Sequence, residues 1–135
     1  MDALEGLLQL DDNSVDLVVT DPPYRLHAKS SGGLHNKRQW LQKIHDNNLD
    51  NFEPQQYLEM MIKKIKIVNM YIFCSKNLLK DYIGFADVNH FNWDILIMSK
   101  KNPIPTKNNK YLSDVEYCMF IRESGAYFNN NLDYN

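Results

Sequence analysis

The sequence predicts an α/β domain: a mostly parallel sheet ending in an antiparallel hairpin, with helices on its faces. Three observations predict it. Val15 to Thr20 and Ile67 to Cys74 are apolar runs without strict alternation, which suits interior strands of a parallel sheet. Between them Tyr57, Leu58, Met61, Ile62 and Ile65 recur at helical spacing, as a β-α-β crossover requires. Trp93 to Ser99 and Val115 to Arg122 are strand-like runs with no helical pattern between them, so they read as antiparallel neighbours.

Each element has a local reason. Asp2 and Glu5 have capping-box spacing ahead of Leu4, Leu7 and Leu8, so a short helix opens the chain. Asp11-Asp12-Asn13-Ser14 is a turn. Pro54 suits the first turn of the crossover helix, whose lysine-rich end (Lys63, Lys64 and Lys66) complements the helix dipole and reads as solvated. Ser75 is placed to cap a further helix with the apolar face Leu78, Leu79, Tyr82, Ile83 and Ala86. The segment 25–53 is long, polar and basic, a connection of a length usually reserved for function or disorder. The tail from 129 to 135 reads as frayed, and residues 1–135 as one domain.

Composition narrows the setting. No stretch is long and apolar enough to span a membrane. The opening MDALEGLLQL carries acids where a signal peptide carries positive charge, which points to the cytoplasm rather than secretion. Cys74 and Cys118 lack CxxC spacing and read as buried thiols in a reducing compartment. His27, His35, His45 and His90 have no ligand spacing, so no metal is expected. The net charge of −2 conceals a patterned distribution. Five cations (Arg25, Lys29, Lys37, Arg38 and Lys43) and no acid lie between Arg25 and His45. Four more (Lys100, Lys101, Lys107 and Lys110) lie between Met98 and Lys110, again without an acid. These segments are either solvated loops or contacts for a phosphate backbone.

The first strand runs into VDLVVTDPPY. A carboxylate and a Pro-Pro turn at the carboxyl end of a buried strand stand where open α/β sheets bind ligands. Both prolines fix φ and lack an N–H, so the turn is stiff and presents acceptors: the Asp21 carboxylate and the Pro22 and Pro23 carbonyls. Such acceptors can orient an amino group so that its lone pair meets an electrophile. Tyr24 adds a flat face for a planar ring. A plain strand-ending turn with a cap acid is the alternative account.

At these residues the chain resembles the amino-group DNA methyltransferases, which methylate adenine N6 or cytosine N4 with S-adenosylmethionine. MDALEGLLQLDDNSVDLVVTDPPY is similar to the opening of permuted members whose catalytic motif precedes the cofactor motif. YIFCS is similar to their next core strand, and WDILIMSKKNPIP with VEYCMFIRE to their late segment. The resemblance implies a partial Rossmann-like methyltransferase sheet, with Asp21, Pro22, Pro23 and Tyr24 catalytic and Tyr24 stacking on a base swung out of the duplex. It implies cofactor contacts from Asp2 and Asp21, and direct transfer without a covalent enzyme intermediate. Asp before Pro-Pro favours adenine. DNA phosphates would be met by Arg25, Lys29, Lys37, Arg38, Lys100 and Lys101. Restriction-modification, epigenetic marking and phage self-protection all fit these residues.

The same family carries a glycine turn of FxGxG type, where only glycine lets backbone approach the cofactor. Here the glycines are Gly6, Gly32, Gly33, Gly84 and Gly125, and no GxG occurs. The catalytic half is therefore expected without most of the cofactor half, leaving a sheet edge beside the DPPY strand for a second chain or copy to cover. Cofactor binding would then need that partner. A truncated or split remnant that binds DNA or a partner without catalysis is the competing expectation. Glu116 and Glu123 are further candidates to orient a substrate, although Glu116 alternates with apolar neighbours as a solvent-facing strand residue does.

Overall fold

The computed structural model describes residues 3–22, 53–103, 111 and 114–127. In chain order the elements are α1 (Ala3–Leu8), β1 (Val18–Thr20), α2 (Pro54–Lys64), β2 (Asn69–Cys74), α3 (Leu79–Val88), β3 (Asn92–Ser99) and β4 (Val115–Arg122). The strands form one sheet in the order β1-β2-β4-β3. β1 pairs parallel with β2, and Thr20 stands opposite Ile72. β4 runs antiparallel to both β2 and β3.

The sheet is thus mixed, and parallel pairing is confined to β1 and β2. The expected terminal antiparallel hairpin is present, and the mostly parallel character is met in part: three of the four described strands run one way, but only β1 and β2 pair parallel. β3 does not pair with β2; it turns back into β4, and β4 takes the place beside β2. Two antiparallel steps restore the direction, so β3 runs the same way as β1 and β2.

The helices also differ from expectation in one respect: those described share a single face. Val18, Met70, Ile72, Met119 and Ile121 lie on one side of the sheet by register. They pack with Leu58, Met61, Ile65, Leu78, Tyr82 and Ala86 from the α2 and α3 segments, and Leu7 of α1 joins the same cluster. Of the apolar positions read at helical spacing, Leu58, Met61, Ile65, Leu78, Tyr82 and Ala86 are buried, while Tyr57, Ile62, Leu79 and Ile83 are half-buried against the same cluster. On the other face Tyr71 stacks on Phe120 at 4.5 Å, and the Arg122 guanidinium lies 5.8 Å from the Phe120 ring centre. Val19 on that face is 62 % exposed and Leu96 43 %.

β1 is shorter than the apolar run suggests. Val15 makes only an isolated parallel bridge to Ile65, and the chain bends at Asp16 before pairing begins. Polar residues hold this approach. The N–H groups of Asn13, Ser14 and Val15 donate to the carbonyls of Lys63, Lys64 and Lys64, and Lys66 N–H donates back to the Val15 carbonyl. Asn13 takes a positive φ of 55°, which asparagine tolerates in turns. The Lys64 ammonium donates to the Leu10 carbonyl at 2.9 Å and to Asp12 Oδ1 at 2.6 Å, and the Lys66 ammonium pairs with Asp16 at 2.8 Å. Lys64 is not a solvated helix end, as the sequence suggests: its side chain is 13 % exposed and fastens the α1–β1 turn to α2.

Ser75 likewise departs from its expected role. The α3 N-cap is Leu78, with no side-chain cap, and Ser75 contributes only its carbonyl, which accepts the Leu78 N–H.

The Lys64 hydrogen bond and charge hold the Asp12 carboxyl below its ordinary value of 3.8. A carboxyl depressed by folding stabilises the native state above its unfolded value and loses that contribution as pH falls through the folded value. Chemical denaturation of the wild type and Asp12→Asn should therefore show a stability difference that is flat near neutrality. That difference should shrink below about pH 4. A difference independent of pH down to acid unfolding would remove the ion pair from this account.

Candidate functional site at the carboxyl edge of the sheet

Because β1, β2 and β3 run in one direction, their carboxyl ends share one edge of the sheet. Thr20 opposite Ile72 means that Asp21 and Pro22 leave the sheet beside Phe73 and Cys74. Asp21 is exposed and Pro22 half-buried. Ser75 follows at the end of β2, and its Oγ is buried without a hydrogen-bond partner. The sequence gives this hydroxyl a capping role; its position at a strand end beside Asp21-Pro22 is the signal that a cap reading hides. A buried unpaired hydroxyl costs roughly 1–3 kcal/mol.

Lys100 and Lys101 follow β3 on the same edge, three strand positions from β1, or about 14 Å at ordinary inter-strand spacing. They differ in partners. The Lys100 ammonium lies 3.0 Å from Glu116 Oε1 on β4, which accounts for Glu116 as a strand-face partner of a lysine. Lys101 is exposed, with no ion pair among the described residues. Glu123 stands at the opposite edge. Its carboxylate accepts the Val68 N–H at 2.9 Å and its own N–H donates to the Val68 carbonyl, so it closes the β2–β4 ladder instead of facing the Asp21 turn.

Asp2, Pro23, Tyr24, Arg25, Lys29, Lys37, Arg38 and the tail from 129 lie outside the described residues, as does almost all of segment 25–53. The structure therefore sets Asp21, Pro22 and Ser75 at the ends of β1 and β2, with Lys100 and Lys101 on the same edge of the sheet about 14 Å away. An open groove of about 520 Å³ between α2 and α3, lined by Glu53, Gln55, Glu59, Lys80 and Phe85 among others, shares no residue with this edge.

The two cysteines are chemically quiet. Cys74 is pushed up to about 11 from 9.0, first by burial and then by the neighbouring Cys118. Burial raises Cys118 as well. Neither suits a nucleophile at neutral pH. Among the described residues no helix is long and apolar enough to cross a membrane, and no three His, Cys, Asp or Glu side chains form a metal-binding group.

Comparison with solved structures decides the fold. The crystal structure of M1.HpyAVI in complex with SAM superposes with a TM-score of 0.61 and 21% identity, over 94% of this chain and 54% of that one. M1.HpyAVI alone gives 0.60 at 21%, over 91% and 55%. TTHA0409 from Thermus thermophilus, described as a DNA modification methylase, gives 0.59 at 21%, over 95% and 54%. The chain shares its fold with DNA methyltransferases. It spans about half the length of these structures. No family model matches the chain, and no curated protein matches it in sequence.

The buried thiols give a direct check on this edge. At pH 8 a thiol at about 11 is about 100-fold less ionised than one at 9.0. Alkylation at Cys74 in the native chain, read by peptide mass mapping, should therefore be at least that much slower than in denaturant. Equal rates in both would place Cys74 outside the core.

Proposed function

We propose that this chain is the catalytic portion of an S-adenosylmethionine-dependent DNA methyltransferase acting on an exocyclic amino group, adenine N6 in preference to cytosine N4. The observation that carries the reading is that Asp21-Pro22 leaves the carboxyl end of β1 beside the end of β2, in a fold shared with DNA methyltransferases. The Asp21 carboxylate and Pro22 carbonyl accept the two N–H bonds of the target amino group and fix the direction of its lone pair. Tyr24 stacks on the base once it has left the duplex, because a stacked base keeps its amino group out of reach. Pro23 keeps the turn rigid. Arg25, Lys29, Lys37 and Arg38, which follow the turn in sequence, hold the flanking phosphates together with Lys101 and, less strongly, Lys100.

When bound, S-adenosylmethionine supplies the electrophilic methyl group. The residues supporting part of such a site are Asp21 and Ser75, whose buried hydroxyl has no hydrogen-bond partner. They do not supply all of it. The sequence has no GxG turn, and the outer edge of β1 is open among the described strands. A further segment or a second chain pairing along β1 supplies the missing backbone, and Asp2 is proposed as a further cofactor contact. Transfer itself needs no covalent enzyme intermediate, in keeping with two cysteines that stay protonated.

Calorimetric titration with S-adenosylmethionine comes first. Saturable binding by the chain alone supports a working cofactor site. No binding at millimolar cofactor assigns the chain the acceptor half only, as a DNA- or partner-binding module. In a preparation that methylates DNA, Asp21→Ala should reduce methyl transfer by about 10²–10³-fold while DNA binding persists. Undiminished methylation would remove Asp21 from the chemistry.

Lys101→Ala should weaken DNA binding evenly across sequences and flatten the salt dependence by about one counterion. Lys100→Ala should change it less, since Glu116 already engages that charge. An unchanged salt slope in the Lys101 variant would exclude this edge from the phosphate track.

A further inference from the structure

The far edge of the sheet carries an inference that does not depend on the methyltransferase reading. β3 is the terminal strand, eight residues long and exposed along its whole length. Its register with β4 runs unbroken from Asn92 to Ser99, so no bulge twists the edge away. It contains no proline or lysine, the usual devices that discourage edge pairing. Ile95, Leu96, Ile97 and Met98 are 36%, 43%, 63% and 42% exposed.

The backbone phase of the free edge can be read from two hydrogen bonds. Glu123 N–H donates to Val68, so odd-numbered β4 residues face β2; Lys100 N–H donates to Asp114, so even-numbered residues join β3 and β4. The N–H and C=O groups of Trp93, Ile95, Ile97 and Ser99 therefore point outward. An outward ladder on these residues admits an antiparallel copy of the same strand about a two-fold axis. With Ile97 on the axis, Leu96 stands opposite Met98, Ile95 opposite Ser99, and Asp94 opposite Lys100. The single charge within the strand then meets an opposite charge, twice, on the face away from the helices. Lys100 already points to that face, where it meets Glu116. The register centred on Asp94 would instead set two carboxylates against each other.

We propose that β3 is a self-pairing edge: two copies of the chain join β3 to β3 antiparallel about Ile97, forming a continuous eight-stranded sheet closed by Asp94–Lys100 pairs. Such an isologous contact satisfies both edges at once and ends at two chains.

Sedimentation equilibrium of the full chain, across its soluble concentration range, should give twice the 15.9 kDa chain mass. Ile97→Lys should shift this to the single-chain mass with an unchanged circular dichroism spectrum, since Ile97 is 63% exposed. Asp94→Lys and Lys100→Asp should each weaken the dimer, and the double exchange should restore it. Ile97→Cys should form a covalent dimer on mild oxidation, whereas Val88→Cys on α3 should not. A monomeric wild type, assembly that grows beyond two, a dimer that survives Ile97→Lys, or a double exchange that restores nothing would each overturn the proposal.

Discussion

The parallel pairing of β1 with β2 is the constraint on which the site depends. β1 contributes three residues to the ladder, too few to fix its own register. Its position comes largely from elsewhere: the Val15 bridge to Ile65, three backbone bonds onto the end of α2, and the Lys64 ammonium that ties Leu10 and Asp12 to the same helix. A one-residue slip would turn Val18 out of the core and Val19 into it. It would also move Asp21 and Pro22 away from the end of β2. The chemistry assigned to the turn is thus anchored by a helix C-terminus on the helical side of the sheet.

The hairpin sets the second feature of the site. By placing β4 between β2 and β3, the fold makes β3 parallel to β1 although no crossover helix joins it to the parallel pair. Lys100 and Lys101 then share the carboxyl edge with Asp21, while Glu123, at the end of β4, falls on the opposite edge. An acid and a basic pair that look equally well placed in the sequence are separated by the direction of one strand.

Much of this was legible in the residues. Helical spacing picked out Leu58, Met61, Ile65, Tyr82 and Ala86, and all are buried. The strand runs and the antiparallel β3–β4 neighbours were readable too, because apolar and β-branched composition marks a strand even where, as in β3, its residues are exposed. The strand order was not: whether β3 or β4 pairs with β2 is settled by packing that no local pattern encodes. Lys64 was misread for a related reason, since a lysine at a helix end looks solvated until the turn that it holds is known. Asp21-Pro22 was legible as a strand-end position from composition, and its reading as a candidate site came from the resemblance of the longer stretch around it. Ser75 was hidden by a local capping pattern that the chain does not use.

The two open edges of the sheet call for different partners. β1 offers three residues, an exposed Val19 and a neighbouring turn that lacks glycine-rich backbone, so a strand of different sequence suits it better than a copy of itself. β3 offers a free ladder that, about Ile97, pairs residues 95 to 99 with their own reverse and sets Asp94 against Lys100 just past the strand. Pairing through β3 leaves β1 free and, being antiparallel, points the two carboxyl edges in opposite directions. Asp21 of each copy would then stand at an edge pointing away from the other, and Lys101, with Lys100 drawn toward Asp94 of the other copy, would be the main cation that β3 lends to that edge.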